Sequence, residues 1–223
     1  MKTLPPQPGF ALIEMAIILV IIGLLVGALL KGPGLLANAR VKTLAQDFRE
    51  IPIYVYNYQD RFHALPGDDA EAANNVPGAT PATTPVSGQR GDRVIDGGWN
   101  STTNTDESCL FWQHVRLAGI VPGQPKVDCA ANSDYWPKNA VGGQVGVQSR
   151  SGFTRITTLA TGTHVTCSQD IPGKYLRQLD ALLDDGNTAG GSMQAVPSNA
   201  ADGAAATTDS IADTLLYTVC MGF

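Results

Sequence analysis

From Phe10 to Leu30 the chain reads FALIEMAIILVIIGLLVGALL, 21 residues with one charge, Glu14. As a helix this run is ~32 Å long, about the thickness of a bilayer's hydrocarbon core. Gly32-Pro33-Gly34 follows, a cluster of helix breakers. Pro33 has no N–H to donate and its ring crowds the preceding turn, a cost of about 3 kcal/mol in a helix interior. The pattern predicts a membrane-spanning helix over residues 10–31, with its weakest point between Lys31 and Leu35. Beyond the breakers, apolar residues return at Val41, Leu44, Phe48, Ile51, Val55, Tyr58 and Phe62. Steps of three and four put them on one helical face, so residues 32–63 read as an amphipathic continuation. Pro52 lies just off that face and predicts a kink rather than an end.

Residues 64–105 have no helical period and are rich in Pro, Gly, Thr, Asn and Asp, which predicts a long surface loop. Asp106–Ala118 predicts a second helix, with acids at its positive end, Phe111, Val115 and Ala118 along a face, and Gly119 as its stop. Residues 141–170 alternate β-branched and small residues, the pattern of short antiparallel strands. A third helix is expected over Lys174–Leu183, and an exposed low-complexity stretch over Ala195–Ser210. Ala212–Cys220 reads as a closing strand in which Leu215, Tyr217 and Val219 alternate. The expected fold class is α+β: a long N-terminal helix packed on a small antiparallel sheet, with residues 64–223 as a globular head.

Composition narrows the function classes. Only 16% of residues are charged, against roughly 25% in an average soluble domain. The net charge is −5 and no Lys/Arg cluster marks a phosphate-tracking face, so no nucleic acid is expected as a partner. His63, His114 and His164 show no metal-ligand spacing, and Ser108 sits in no nucleophile elbow. No phosphate-cradling glycine motif occurs, and an enzyme is not expected. Cys109, Cys129, Cys167 and Cys220 contain no CxxC pair. Their even number in a part expected outside the cytoplasm implies two disulfides with three possible pairings, against four buried free thiols. Cys109–Cys129 and Cys167–Cys220 are preferred because each closes within a local unit. Asp180, Asp184, Asp185 and Asn187 bring oxygen ligands within eight residues, a set that suits calcium. Asp-Asp-Gly is equally an ordinary helix-ending turn. Arg90-Gly91-Asp92 is an adhesion-type tripeptide, and also common turn chemistry.

A glutamate inside an apolar span is costly enough to need a partner and a purpose. Here a polar leader ends in Gly9, followed by Phe10-Ala11-Leu12-Ile13-Glu14-Met15 and the apolar run. This resembles the type IV prepilin signature, shared by type IV pilins and type II secretion pseudopilins. Ala11 and Met15 depart mildly from its commonest form, and the leader's Pro5, Pro6 and Pro8 are less typical. The segments His63–Asp69, Glu107–His114 and Asp184–Gly186 also look like those of larger pilin-like proteins.

The resemblance implies a set of roles. Residues 1–9 would be a leader removed by a membrane prepilin peptidase, which cuts between Gly9 and Phe10 and methylates Phe10. Glu14 would pair with the new amine of a neighbouring subunit, setting register in a stack even where the net stabilisation is small. Gly23 and Gly27 would let helices approach closely. Related pseudopilins carry calcium late in their heads, which bears on Asp180–Asn187. Expected partners are other pilin subunits, the prepilin peptidase, the inner membrane and an assembly platform. The expected function is a pilus-like filament subunit, minor or specialised, held first as a single-pass inner-membrane protein with a periplasmic head. A type II secretion pseudopilin and a membrane-anchored extracytoplasmic binding protein are the alternatives.

Overall fold

The computed structural model describes residues 12–84, 90–130 and 133–223, without the side chains of residues 28–33. The chain divides into two compact units, Met1–Ala39 and Arg40–Phe223. The first holds the start of helix α1 (Leu12–Phe62), whose backbone stays helical through Gly32-Pro33-Gly34 and through Pro52. The breaker cluster therefore does not end the helix in the single chain. Among the described residues no helix is long and apolar enough to cross a membrane. The span expected over residues 10–31 is thus not seen, and its residues 10 and 11 and the side chains of 28–31 lie outside the description. What is seen is an apolar surface: Leu12 is 92% exposed and Ile13, Leu19 and Leu24 are each 70% exposed.

In the second unit α1 buries the stripe its spacing predicts. Val41, Leu44, Phe48, Ile51, Val55 and Tyr58 are all buried. The later part of the stripe packs with α3 (Glu107–Leu117), whose residues Glu107 to Val115 are buried without exception. Phe111, Trp112 and Val115 of α3 join Ile51, Val55 and Tyr58 in one apolar cluster. Gly119, at φ +71°, ends the helix in a conformation that suits glycine.

The sheet has four antiparallel strands in the order β1-β2-β4-β3. These are β1 (Val145–Ser149), β2 (His164–Pro172), β3 (Met193–Pro197) and β4 (Leu216–Gly222), with helix α4 (Gly173–Leu183) directly after β2. Both faces of the sheet are covered. Val145 and Val147 face the cluster built on α1 and α3. Val165, Cys167, Val196 and Cys220 face a second cluster with Trp99, Ile156 and Leu159. Double burial explains why β1 is buried along its whole length rather than alternately. Both sheet edges are met by loops: Ser149 N–H donates to Ile95 O, and on β3 Ala195 N–H donates to Thr188 O. The approach at β1 is so close that a Cβ on Gly146 would meet Trp99 O at 1.8 Å. These contacts occupy part of each edge, where a strand of another chain would otherwise pair.

Several expectations need correction. Residues 64–105 are not a surface loop: Leu65 to Asp69, Ala72, Val76, Ile95 and Trp99 are buried, and Ala72–Asn75 forms a short helix, α2. Apolar residues placed singly carry no period, yet each fills a gap between better-ordered elements. The strands expected in 141–170 are shorter and displaced, because residues 153–162 form no strand. Ala195–Ser210 is not exposed throughout, since its start is β3 with Ala195 and Val196 buried. The closing strand begins at Leu216, leaving Leu215 outside it and half exposed.

The two disulfides are Cys109–Cys129 and Cys167–Cys220. The first ties α3 to the segment before Tyr135. The second joins directly opposed positions of β2 and β4. Their sequence separations of 20 and 53 residues restrict the unfolded chain by about 3 and about 4 kcal/mol respectively in the entropy model. Replacing Cys167 and Cys220 by Ser is therefore expected to cost more stability than replacing Cys109 and Cys129. Denaturant unfolding of the two double variants checks this; negligible loss in both would contradict it.

Candidate functional site

Two places in the chain carry features that packing alone does not explain. The first is the exposed apolar surface of α1. Glu14 is exposed and is the acidic residue of the helix's first turn, where a carboxylate suits the positive end of the helix dipole. A Cβ on Gly23 or Gly27 would meet nothing within 4 Å, so the small-residue pair sits in open space. Gly9 and Phe10, the expected cleavage pair, lie outside the described residues.

The second is a group of acids after α4. Asp180 sits on the last full turn of α4, and the chain then turns at Gly186 with φ +81°. That turn returns Asp184 and Asp185 towards Asp180, so that one carboxylate oxygen of each lies within 4.8 Å of the others. Asp184 is anchored from the far side: Ser192 Oγ donates to its Oδ1 at 3.0 Å and Met193 N–H to its Oδ2 at 2.8 Å. Asp185 Oδ1 accepts from Asn187 N–H at 2.8 Å. Asn187, the fourth residue expected in this set, has its own Oδ1 turned to Ala189 N–H.

Asp180 is the unusual member. It is 0% exposed, and neither side-chain oxygen has a hydrogen-bond partner. Burial pushes its pKa up to about 6, the charges of Asp184 and Asp185 add to the rise, and Gly186 N–H opposes it from beyond hydrogen-bond geometry. Leaving a buried acceptor unpaired costs about 1–3 kcal/mol, and more for a charged one. Such a group is satisfied either by a proton or by a cation. An all-carboxylate donor set is hard and suits calcium or magnesium better than zinc.

Other singled-out residues have structural employment. Arg90-Gly91-Asp92 is an exposed turn pinned from below, since Gly91 and Arg93 N–H both donate to the buried Asp68. His114 Nδ1 accepts from Gly67 N–H at 3.0 Å, which leaves its proton on Nε2 for Thr80 O at 2.9 Å. Burial lowers its pKa, so the ring is a neutral clamp between segment 64–80 and α3. His164 lies against the ring of Phe223, and its pKa too is lowered by burial. Asp69 accepts from Tyr58 Oη, Glu71 N–H and Asn75 Nδ2. Glu107 accepts from Asp96 N–H, and burial pushes it up to about 8, with that N–H opposing and Asp68, Asp96 and Asp92 adding. Asp68, Asp69, Glu107 and His114 thus form a buried polar seam that the residue pattern did not reveal as one. Its only trace in the sequence is the pair of segments His63–Asp69 and Glu107–His114.

Asp68, Glu107 and Asp180 all hold protons more tightly folded than unfolded, with folded values near 6, 8 and 6. Their contribution to stability is present at mildly acid pH and is lost as pH rises from about 4 to about 8. In chelator, the full chain in detergent is expected to melt at a higher temperature at pH 5 than at pH 8. A melting temperature that rises over that interval would contradict the dominance of these buried acids over His114 and His164, whose pKa values burial lowers and which act the other way. Comparison with family models, with curated proteins and with solved structures found no match to this chain.

Proposed function

We propose that this chain is a structural subunit of a type IV pilus-like filament, minor or specialised, that assembles through its N-terminal helix. The observation that carries this reading is the change along α1. From Val41 onward the helix carries an apolar stripe, Val41 to Tyr58, that is buried in its own head, whereas from Leu12 to Val26 its large apolar residues are exposed. Contiguous apolar surface of that extent marks a site covered by lipid or by protein. A subunit that is first held in the inner membrane and then packed among like helices has both kinds of cover in turn. The prepilin-like sequence around Gly9 and Glu14 fits the same sequence of events, with the peptidase freeing an amine on Phe10 for Glu14 of a neighbour. A secretion pseudopilin would use the same chemistry, so the two readings differ in where the filament ends rather than in how it forms. A plain membrane anchor has no need of Glu14.

Mass spectrometry of the N-terminal peptide from membranes tests the processing. A mature chain beginning at N-methylated Phe10 is expected, and one that retains Met1 would contradict the reading. Glu14→Ala is expected to leave membrane insertion intact and to remove the protein from sheared surface or periplasmic filaments. Filament incorporation at the wild-type level would favour the anchored binding protein instead.

The acids after α4 fit a calcium ion held by Asp180, Asp184 and Asp185, which would fasten the end of α4 to the start of β3 through Asp184. The carriers of this second reading are the two unpaired oxygens of Asp180. Protons compete for the same carboxylate, so added calcium is expected to raise the melting temperature at pH 8 and to have little effect at pH 5. Asp180→Asn should abolish the calcium response while keeping the fold. A response that survives this substitution would place the ion elsewhere.

A further inference from the structure

Three residues other than glycine hold a left-handed backbone among those described: His63 (φ +57°), Arg93 (φ +69°) and Asp170 (φ +60°). A Cβ makes that conformation costly, and residues kept in it gather at functional sites. Two of the three, His63 and Arg93, line one open cavity of about 350 Å³ in the head, together with Gln59, Ala64 and Leu65. Each backbone is held in place by groups other than its own side chain. His63 directly follows α1, and its N–H donates to Gln59 O at 2.8 Å. Arg93 N–H donates to Oδ2 of the buried Asp68 at 2.7 Å, while Gly91 N–H takes Oδ1 of the same carboxylate. Glycine would hold either position at less cost. The imidazole and the guanidinium therefore call for an explanation of their own. His63 and Arg93 are exposed, and Gln59 is half-buried. None of the three side chains has a hydrogen-bond or ion-pair partner among the described residues.

We propose that this cavity binds a phosphate group, with the Arg93 guanidinium, a His63 ring N–H and the Gln59 amide as its donors. The guanidinium is a planar fork whose charge no carboxylate among the described residues takes up. His63 has a ring N–H to donate in either tautomer, and Gln59 has two amide N–H groups. A carboxylate would be saturated by the fork alone, whereas the tetrahedral oxygens of phosphate meet donors on three sides. A cation would meet the Arg93 charge. No acid is among the lining residues. Asp60 and Asp92, the acids nearest in sequence, stand outside the walls, and Asp92 Oδ1 is turned to Val94 N–H. The carbonyl end of α1 opposes an anion, and solvent screens an open site, so a Kd of about 1 mM is expected rather than a tight one. Phosphate alone fills part of the space, and the remainder beside Ala64 and Leu65 has room for the carbon skeleton of a small phosphoester. The site is independent of filament assembly, because every lining residue lies in the Arg40–Phe223 unit.

The test uses the full chain with 15N-labelled histidine in a maltoside detergent, since phosphocholine detergents would compete for the site. Phosphate, glycerol 3-phosphate and acetate are titrated singly at fixed pH and ionic strength while the imidazole signals are followed. His114 and His164 are buried and serve as internal controls. Phosphate and glycerol 3-phosphate are expected to shift His63 saturably and to leave the two controls unmoved. Acetate should bind about tenfold more weakly, having two oxygens for the fork and none for the other donors. Tighter binding of glycerol 3-phosphate would identify a phosphoester as the source of the group, and equal binding would identify free phosphate. Arg93→Asn removes the charge but keeps a residue tolerant of the left-handed region. It should weaken phosphate about tenfold without lowering the melting temperature. No saturable His63 shift with either phosphate compound would overturn the proposal, as would acetate binding equal to phosphate. A shift unchanged in Arg93→Asn would place the anion elsewhere, and a lower melting temperature in that variant would make Arg93 structural; either result also overturns it.

Discussion

The head depends on one packing interaction, the burial of the α1 stripe against α3. Ile51, Val55 and Tyr58 share one apolar cluster with Phe111, Trp112 and Val115 of α3, and each is 2% exposed or less. Burying a side chain of this size contributes about 1.5–3 kcal/mol. Other parts of the head are fixed relative to that contact. Tyr58 Oη reaches Asp69, and His114 on α3 takes Gly67 N–H, so segment 64–69 is held from both helices at once. Val145 and Val147 bring the sheet's inner face to the same cluster. Cys109 then locks α3 to Cys129.

The same helix, continued towards its N-terminus, has no such contact to make. Its residues Leu12–Val26 are as apolar as any in the chain and stand exposed. At roughly 25 cal/mol per Å² of apolar surface, leaving them in water is a large standing cost. A chain that keeps this surface has to be covered by something other than itself. The proposed assembly through α1 rests on this exposed surface.

How much of this was legible in the sequence follows from how each part is held. The α1 stripe and α3 were legible because their apolar residues recur at the helical period. The disulfide pairing was legible because each bridge closes a local unit. Segment 64–105 was misread because Leu65, Ile95 and Trp99 are buried singly, and their segment's polar groups are satisfied by side chains such as Asp68 and His114 rather than by a ladder. Strand β3 was hidden because Ala195 and Val196 lie in an alanine-rich stretch whose burial depends on the sheet. The acids Asp180, Asp184 and Asp185 were visible, being five residues apart at most, yet nothing in their spacing marked Asp180 as the unpaired one.

The central claim is that the head folds on the second half of α1 alone, leaving the first half for contacts with lipid or other subunits. The direct test is a chain beginning at Arg40, the first residue of the head's compact unit, compared with the full chain. The account predicts a soluble monomer without detergent, with both disulfides formed and a melting temperature within a few degrees of the full chain's. An Arg40 chain that is unfolded, or that needs detergent to stay in solution, would contradict it.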